Sequence, residues 1–226
     1  MTESYELRKR GVSVMFAKKG RRCTIQFDTP RPEVCLCLSK LDFLVNLVVS
    51  RSFQKVSFLA HSVASLKEFV SKTSKHYSGF TYEDGIFMAK TIGFQIFYLE
   101  KHGYTFSSLD MENVIVLNNR NFLYIGVCDL VKLENSGMFS LFSPVQKNAT
   151  LCIAPELLSV TTIPHALHKN AVYHSLAQLI LRSLFKNADD NNIEVSSLFP
   201  IVDTSLYWFL VRCLQKVPEN RLCLLM

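Results

Sequence analysis

Seven cationic side chains fall within the first 22 residues, Arg8, Lys9, Arg10, Lys18, Lys19, Arg21 and Arg22, against only Glu3 and Glu6. That segment carries +5 of the chain's formal +6. Such a density can meet nucleic-acid phosphates or an acidic partner, but the solvated outer face and turn of a hairpin is the more economical reading. Metal chemistry has thinner support. His165 and His168 stand three apart with no third ligand nearby, so they read as a solvated lead-in to an apolar helix. Cys35 and Cys37 would point to opposite faces of a strand, or about 200° apart on a helix, which argues against a shared ion. The seven cysteines are odd in number and contain no C-x-x-C pair, as expected of free thiols in a reducing cytosol. Tyr207-Trp208-Phe209 reads as core rather than as a stacking platform for bases. Taken alone, Asp110 is a loop carboxylate, and Asn113 and Asp129 read equally well as caps of a loop and of a strand end or as oxygen ligands of a metal.

The elements that position these groups follow from the hydrophobic pattern. At 226 residues and 49% hydrophobic, the chain can bury the core of one large domain or of two small lobes. It begins with a polar, acidic run, and no apolar stretch approaches the roughly 20 residues of a membrane span, so neither secretion nor membrane insertion is expected. Gly11 to Ala17 and Arg22 to Phe27 are β-rich and joined by Lys18-Lys19-Gly20-Arg21, a hairpin with its turn at the glycine, so two strands open the fold. Residues 33–50 are predicted as a helix with Leu36, Leu41, Leu44, Val45 and Val48 on one stripe. A strand is expected over 54–61 and a helix start at 65–70. Thr81 and Asp84 have capping-box spacing, and helical period then runs from Ile86 to His102. Two short strands, 114–117 and 122–125, flank an Asn-rich turn. Period is lost from 133 to 153 and returns as helices over 172–185 and 205–215.

This order leads to Ala154-Pro155-Glu156 and, later, Arg221 in Lys216-Val-Pro-Glu-Asn-Arg221. Over residues 53–226 it resembles a eukaryotic-type protein kinase. Lys101-His-Gly-Tyr104, Asn121-Phe-Leu-Tyr-Ile125 and Ser205 to Leu214 are further similar to compact kinase-like proteins of large DNA viruses. The resemblance implies an α+β, protein-kinase-like two-lobe fold, with a shortened β-rich N-lobe over 1–59 and a mainly helical C-lobe over 60–226.

Kinase chemistry is positioning plus charge stabilisation, so it can be audited residue by residue. The glycine-rich phosphate cover is missing, since only Gly11 and Gly20 occur in the opening strands. Gln26 stands at the place of the phosphate-binding lysine. In Phe106-Ser-Ser-Leu-Asp-Met-Glu-Asn113, Ser108 falls on the catalytic base, and a serine hydroxyl lacks the basicity to accept the substrate proton. Asp110, two residues on, could serve only in a rebuilt loop. Asn113 and Asp129 fall on the two magnesium ligands, and Val172 replaces the aspartate that ties down the catalytic loop. Glu156 and Arg221 are retained and should form an internal ion pair.

The expected function is a catalytically impaired kinase-like protein, a pseudokinase, that works as a protein-binding scaffold or regulator for a kinase or host factor. No cofactor is expected, although Asn113 and Asp129 leave Mg-ATP open. One alternative is a divergent Ser/Thr-type kinase, a phosphotransferase retaining Mg-ATP. The other is a virion-associated protein, or one binding nucleic acid weakly and non-specifically through residues 8–22. The expected setting is the cytoplasm, or the virion of a virus.

Overall fold

Alternating burial along three successive runs builds the first part of the molecule. In the computed structural model, which describes residues 4–75, 80–134, 136–145, 148–185, 198 and 200–221, β1 (Ser4–Lys9), β2 (Val12–Ala17) and β3 (Arg22–Phe27) pair antiparallel in sequence order. Val12, Val14 and Phe16 of β2 and Cys23, Ile25 and Phe27 of β3 turn inward, the period-2 pattern of a sheet with one covered face. The expected hairpin is therefore β2–β3, but three strands rather than two open the fold. Its turn does not rest on the glycine. Arg21 holds the left-handed backbone there, with φ 49°.

The helix expected over 33–50 is only α1 (Pro32–Leu38), followed by a turn and then β4 (Val45–Val49). Ser39 Oγ donates to Leu36 O at 2.7 Å at the end of α1, and the β-branched Val45, Val48 and Val49 favour extended backbone over helix. The predicted stripe breaks accordingly: Leu41 and Leu44 are buried, whereas Leu36, Val45 and Val48 are exposed. β5 (Lys55–Leu59) pairs with β3 on one side and β4 on the other, giving the order β1-β2-β3-β5-β4.

β6 (Val63–Ser65) and α2 (Leu66–Lys75) lead to the long α3 (Tyr82–Lys101). Its capping box is formed as expected: Asp84 N donates to Thr81 Oγ1 at 3.2 Å, and Thr81 N to Asp84 Oδ2 at 2.8 Å. Then come β7 (Tyr104–Phe106), β8 (Leu109–Asp110), β9 (Val114–Leu117), β10 (Asn121–Tyr124) and β11 (Leu130–Lys132). Asn118 and Asn119 make the β9–β10 turn with φ 55° each, a conformation asparagine tolerates. The stretch without sequence period holds β12 (Met138–Leu141) and β13 (Leu151–Cys152), followed by α4 (Pro155–Leu158). β14 (His165–His168) pairs with β12, so the two histidines lie on a strand and not at a helix start. α5 (Ala171–Leu184) and α6 (Ser205–Cys213) complete the fold.

The β9–β10 hairpin is the floor between two cores. Val114, Val116, Phe122 and Tyr124 face a helical core with α3, α5 and α6 residues such as Ile92, Ile96, Leu176, Ile180 and Leu210. The alternate residues Ile115, Leu117, Leu123 and Ile125 join Val12, Val14, Ile25 and Phe27 in a second core beneath the five-stranded sheet. This second core runs across residue 60 without a break. The architecture is α+β, and no described helix is long and apolar enough to cross a membrane.

Candidate functional site

The polar residues singled out in the sequence gather where β8, the 3-10 turn Met111–Asn113, β10 and the 3-10 turn Val127–Asp129 meet. Their centre is Tyr124, which period alone marks as an ordinary core residue. Its hydroxyl donates to Asp129 Oδ2 at 2.6 Å and accepts from Asp110 N at 3.1 Å. Asn113 also hydrogen-bonds the Asp129 carboxylate and the Tyr124 hydroxyl. Gly126 closes the knot, because a Cβ there would lie 2.5 Å from the Tyr124 hydroxyl and 2.8 Å from Asn113 Nδ2. Burial pushes the Asp129 carboxyl above its ordinary range, against the hydrogen bond from Tyr124, and the nearby Asp110 charge pushes the same way. Tyr124 is pushed well above its usual value, first by burial and then by the Asp129 charge.

Magnesium asks for near-octahedral oxygen ligation and keeps several waters. Asn113 and Asp129 do not fit that demand as they stand, since each is engaged by the other and by Tyr124, with Gly126 packed against them. A cation would have to displace the tyrosine hydroxyl. Ser108 offers no base either: it is buried, at 3% exposure. Asp110 does cap a loop, accepting from Glu112 N at 2.9 Å.

Gln26 does not come to this site. Strand alternation sends it to the solvent face of the sheet, opposite Ser13 and Lys55, while the inward positions of β3 are Cys23, Ile25 and Phe27. A one-residue shift in register reverses the face, and every inward position of the strand is apolar.

Above the knot lies β1, which is fastened at both ends. The Tyr5 hydroxyl hydrogen-bonds Ser65 and Glu68 at the start of α2, and burial raises its pKa to about 12. At the other end Lys9 Nζ meets Glu112 at 2.8 Å, a bond that lowers the Glu112 pKa. The β1–β2 turn then rests on the segment before Asp129: Cys128 Sγ donates to Arg10 O at 3.3 Å. At Gly11, with φ 80°, an added Cβ would meet Val127 at 3.1 Å and Cys128 at 3.2 Å. Sequence reasoning missed Tyr5, Lys9 and Gly11 in this role; the glycine at the end of an alternating strand was the available signal.

The basic cluster is divided by the hairpins. Arg8 pairs with Glu6 at 2.7 Å, Lys9 with Glu112, and Arg10 lies by Asp129, whereas Lys18, Lys19, Arg21 and Arg22 sit at the far end of β2 and β3. Residues 8–22 are therefore two separate groups, not one phosphate-binding surface.

Glu156 and Arg221 do meet. The guanidinium forks onto the carboxylate, with Nη1 on Oε1 at 2.5 Å and Nη2 on Oε2 at 3.0 Å, and its remaining donors reach Gln215 O at 2.7 Å and Lys216 O at 3.2 Å. Arg221 is fully buried, and Asn170 Nδ2 holds its carbonyl at 3.0 Å. Val172 is buried in the helical core. No family model matches the chain, and no curated protein matches it either.

Proposed function

We propose that the chain is a catalytically impaired protein-kinase-like protein that acts by binding another protein. The order of elements supports the likeness: the third strand and the helix after it stand, in chain order, where that family has its lysine strand and αC helix. The Glu156–Arg221 fork supports it too. One observation carries the loss of catalysis. The space that would take a nucleotide between the sheet and the β9–β10 floor is a continuous apolar core, closed by β1 and its turn on Val127 and Cys128. The inward positions of β3 carry no phosphate-gripping cation, and Asp129 is tied to Tyr124.

None of the six described cysteines forms a disulfide, in keeping with a reducing compartment such as the cytoplasm. The experiment is a thermal-shift titration with ATP, with and without magnesium. A ligand at 100 times its dissociation constant adds about 2.7 kcal/mol, or about 5–11 °C for a chain of this size. The expected shift is none up to millimolar nucleotide. A magnesium-dependent rise would move the reading to a divergent Ser/Thr-type kinase in which Asn113 and Asp129 are freed from Tyr124.

A further inference from the structure

The two edges of the five-stranded sheet are built differently. Along β1, Glu6 and Arg8 point outward, and charges on an edge block pairing with another chain. β4, at the other edge, reads Val45-Asn-Leu-Val-Val49, with no charge and no proline. It pairs only with β5, which leaves the backbone groups of its outer side without a strand among the described residues.

An irregularity at Asn46, with φ 52°, shifts the register between Val45 and Val48. Val45 then stands opposite Leu59 and Val48 opposite Ser57, so two residues that a regular strand would send to opposite faces share the solvent face. They are 55% and 59% exposed. The row continues through Ser57 and Thr24, whose hydroxyls bond each other at 3.0 Å, to Met15, 41% exposed. Two exposed valines thus stand at an unpaired edge, and the row behind them crosses a buried hydroxyl pair to reach Met15.

Cations flank it. Arg22 lies opposite Leu59, two strands and about 10 Å from Val45, and it brings Lys18, Lys19 and Arg21 of the β2–β3 turn to that end. At the other end Arg51 follows β4 and Lys55 opens β5, with Ser50 N donating to Lys55 O at 2.8 Å. Lys40 precedes β4. The carboxylates nearby are Asp42, ahead of β4, and Asp28, after β3. A second copy paired antiparallel on this edge would set the β2–β3 turn of one chain against Arg51 and Lys55 of the other, cation against cation. Charge therefore favours a different, acidic occupant.

We propose that β4 receives an extended acidic segment of a partner protein as a sixth strand. Backbone hydrogen bonds to the free edge supply affinity, aliphatic side chains lie over Val45 and Val48, and carboxylates at the segment's ends meet the Arg21–Arg22 and Arg51–Lys55 groups. The proposal deepens the reading of the chain as a protein-binding module and rests on it; its test reads strand addition alone, whereas the nucleotide titration reads the closed space under β1.

The probe is a fluorescein-labelled decapeptide with valine at alternate central positions and two glutamates at each end, titrated by anisotropy onto the full chain. Saturable binding is expected, at least tenfold weaker when alternate peptide amides are N-methylated and at least tenfold weaker in a Val45→Ser/Val48→Ser variant. Replacing the glutamates by glutamine should weaken it by a similar factor, and Arg8→Gln on the opposite edge should leave it unchanged. Melting curves identify any variant that fails to fold, and protection of β4 amides from hydrogen exchange on adding peptide provides a readout in the unmodified chain. Equal binding of the N-methylated peptide, no binding of the parent peptide at millimolar concentration, or a dimer in sedimentation that Val45→Ser/Val48→Ser disperses would overturn the proposal.

Discussion

Replacing Glu156 by leucine strips the carboxylate from a guanidinium with no exposed surface. Removing one partner of a buried ion pair costs about 3–5 kcal/mol, because an uncompensated charge is left in a poorly solvated place. Here Arg221 keeps two backbone acceptors, Gln215 O and Lys216 O, which places the expected loss at the lower end, about 3 kcal/mol. For a chain of this size each kcal/mol moves the melting temperature by about 2–4 °C, so the drop should be about 6–12 °C. The reciprocal change, Arg221→Met, leaves a carboxylate whose side chain is 18% exposed and can take up water, so its electrostatic part should be smaller. The double variant Glu156→Leu/Arg221→Met should recover part of the loss, since a buried pair exchanged for apolar groups is often neutral in stability. Thermal and urea unfolding of the four proteins completes the cycle. Losses that simply add, or a Glu156→Leu protein melting within 1 °C of the parent, would refute the reasoning.

His174 is buried beside this pair, and burial followed by the Arg221 charge lowers its pKa to about 4. The unfolded chain therefore takes up this proton first as pH falls, and stability should drop between about pH 6.5 and pH 4 by up to about 3 kcal/mol; urea midpoints across that window should flatten in His174→Gln. Cys128 is exposed, whereas burial pushes Cys23, Cys37 and Cys152 up to about 12. In a Cys223→Ser background, native thiol titration should label Cys128 alone, and prompt labelling of a second cysteine would contradict the packing of the two cores. Lys18, Lys19, Arg21 and Arg22 should support weak, sequence-independent DNA binding that falls about a hundredfold between 50 and 200 mM salt, the slope for roughly four phosphate contacts. Filter binding that loses as much affinity in Arg8→Gln as in a variant with the four turn cations neutralised would argue against the division of the basic cluster.

Local signals account for the parts that were legible in the sequence. The β2–β3 alternation, the Thr81–Asp84 capping box, α3, α5, α6 and the asparagine turn each depend on residues within one or two turns of chain. The ion pair was legible for another reason, since Glu156 and Arg221 belong to an order of elements and not to a local pattern. The failure over 33–50 shows the limit: Leu36, Leu41, Leu44, Val45 and Val48 keep helical spacing, but β-branching and the pairing of Val48 and Val49 with β5 decide the backbone. Gln26 lies on the solvent face because facing depends on parity, and no local feature of a uniformly β-prone strand fixes its register against a motif. Tyr124 was invisible as a polar centre because its ring fills the core while its hydroxyl reaches Asp129 across four intervening residues.

That last arrangement gives Asn113 and Asp129 a use in the fold itself. A carboxylate buried beneath the β1–β2 turn needs donors, and in this chain Tyr124 and Asn113 provide them. The same bonds join β8, through Asp110 N, to β10 and to the turn that begins β11. Removing the carboxylate would leave the tyrosine hydroxyl and the asparagine amide short of an acceptor in a place closed to water, a cost of about 1–3 kcal/mol for each group. These two polar residues are thus held by the fold's own hydrogen-bond requirements, whatever happens to a nucleotide. On the reading proposed above, the closed space beneath β1 and the apolar inward face of β3 weigh against phosphoryl transfer more than the identity of these two residues weighs for it. Among the described residues, the strand edge of the same sheet left unpaired and uncharged is that of β4, with cations on either side of it.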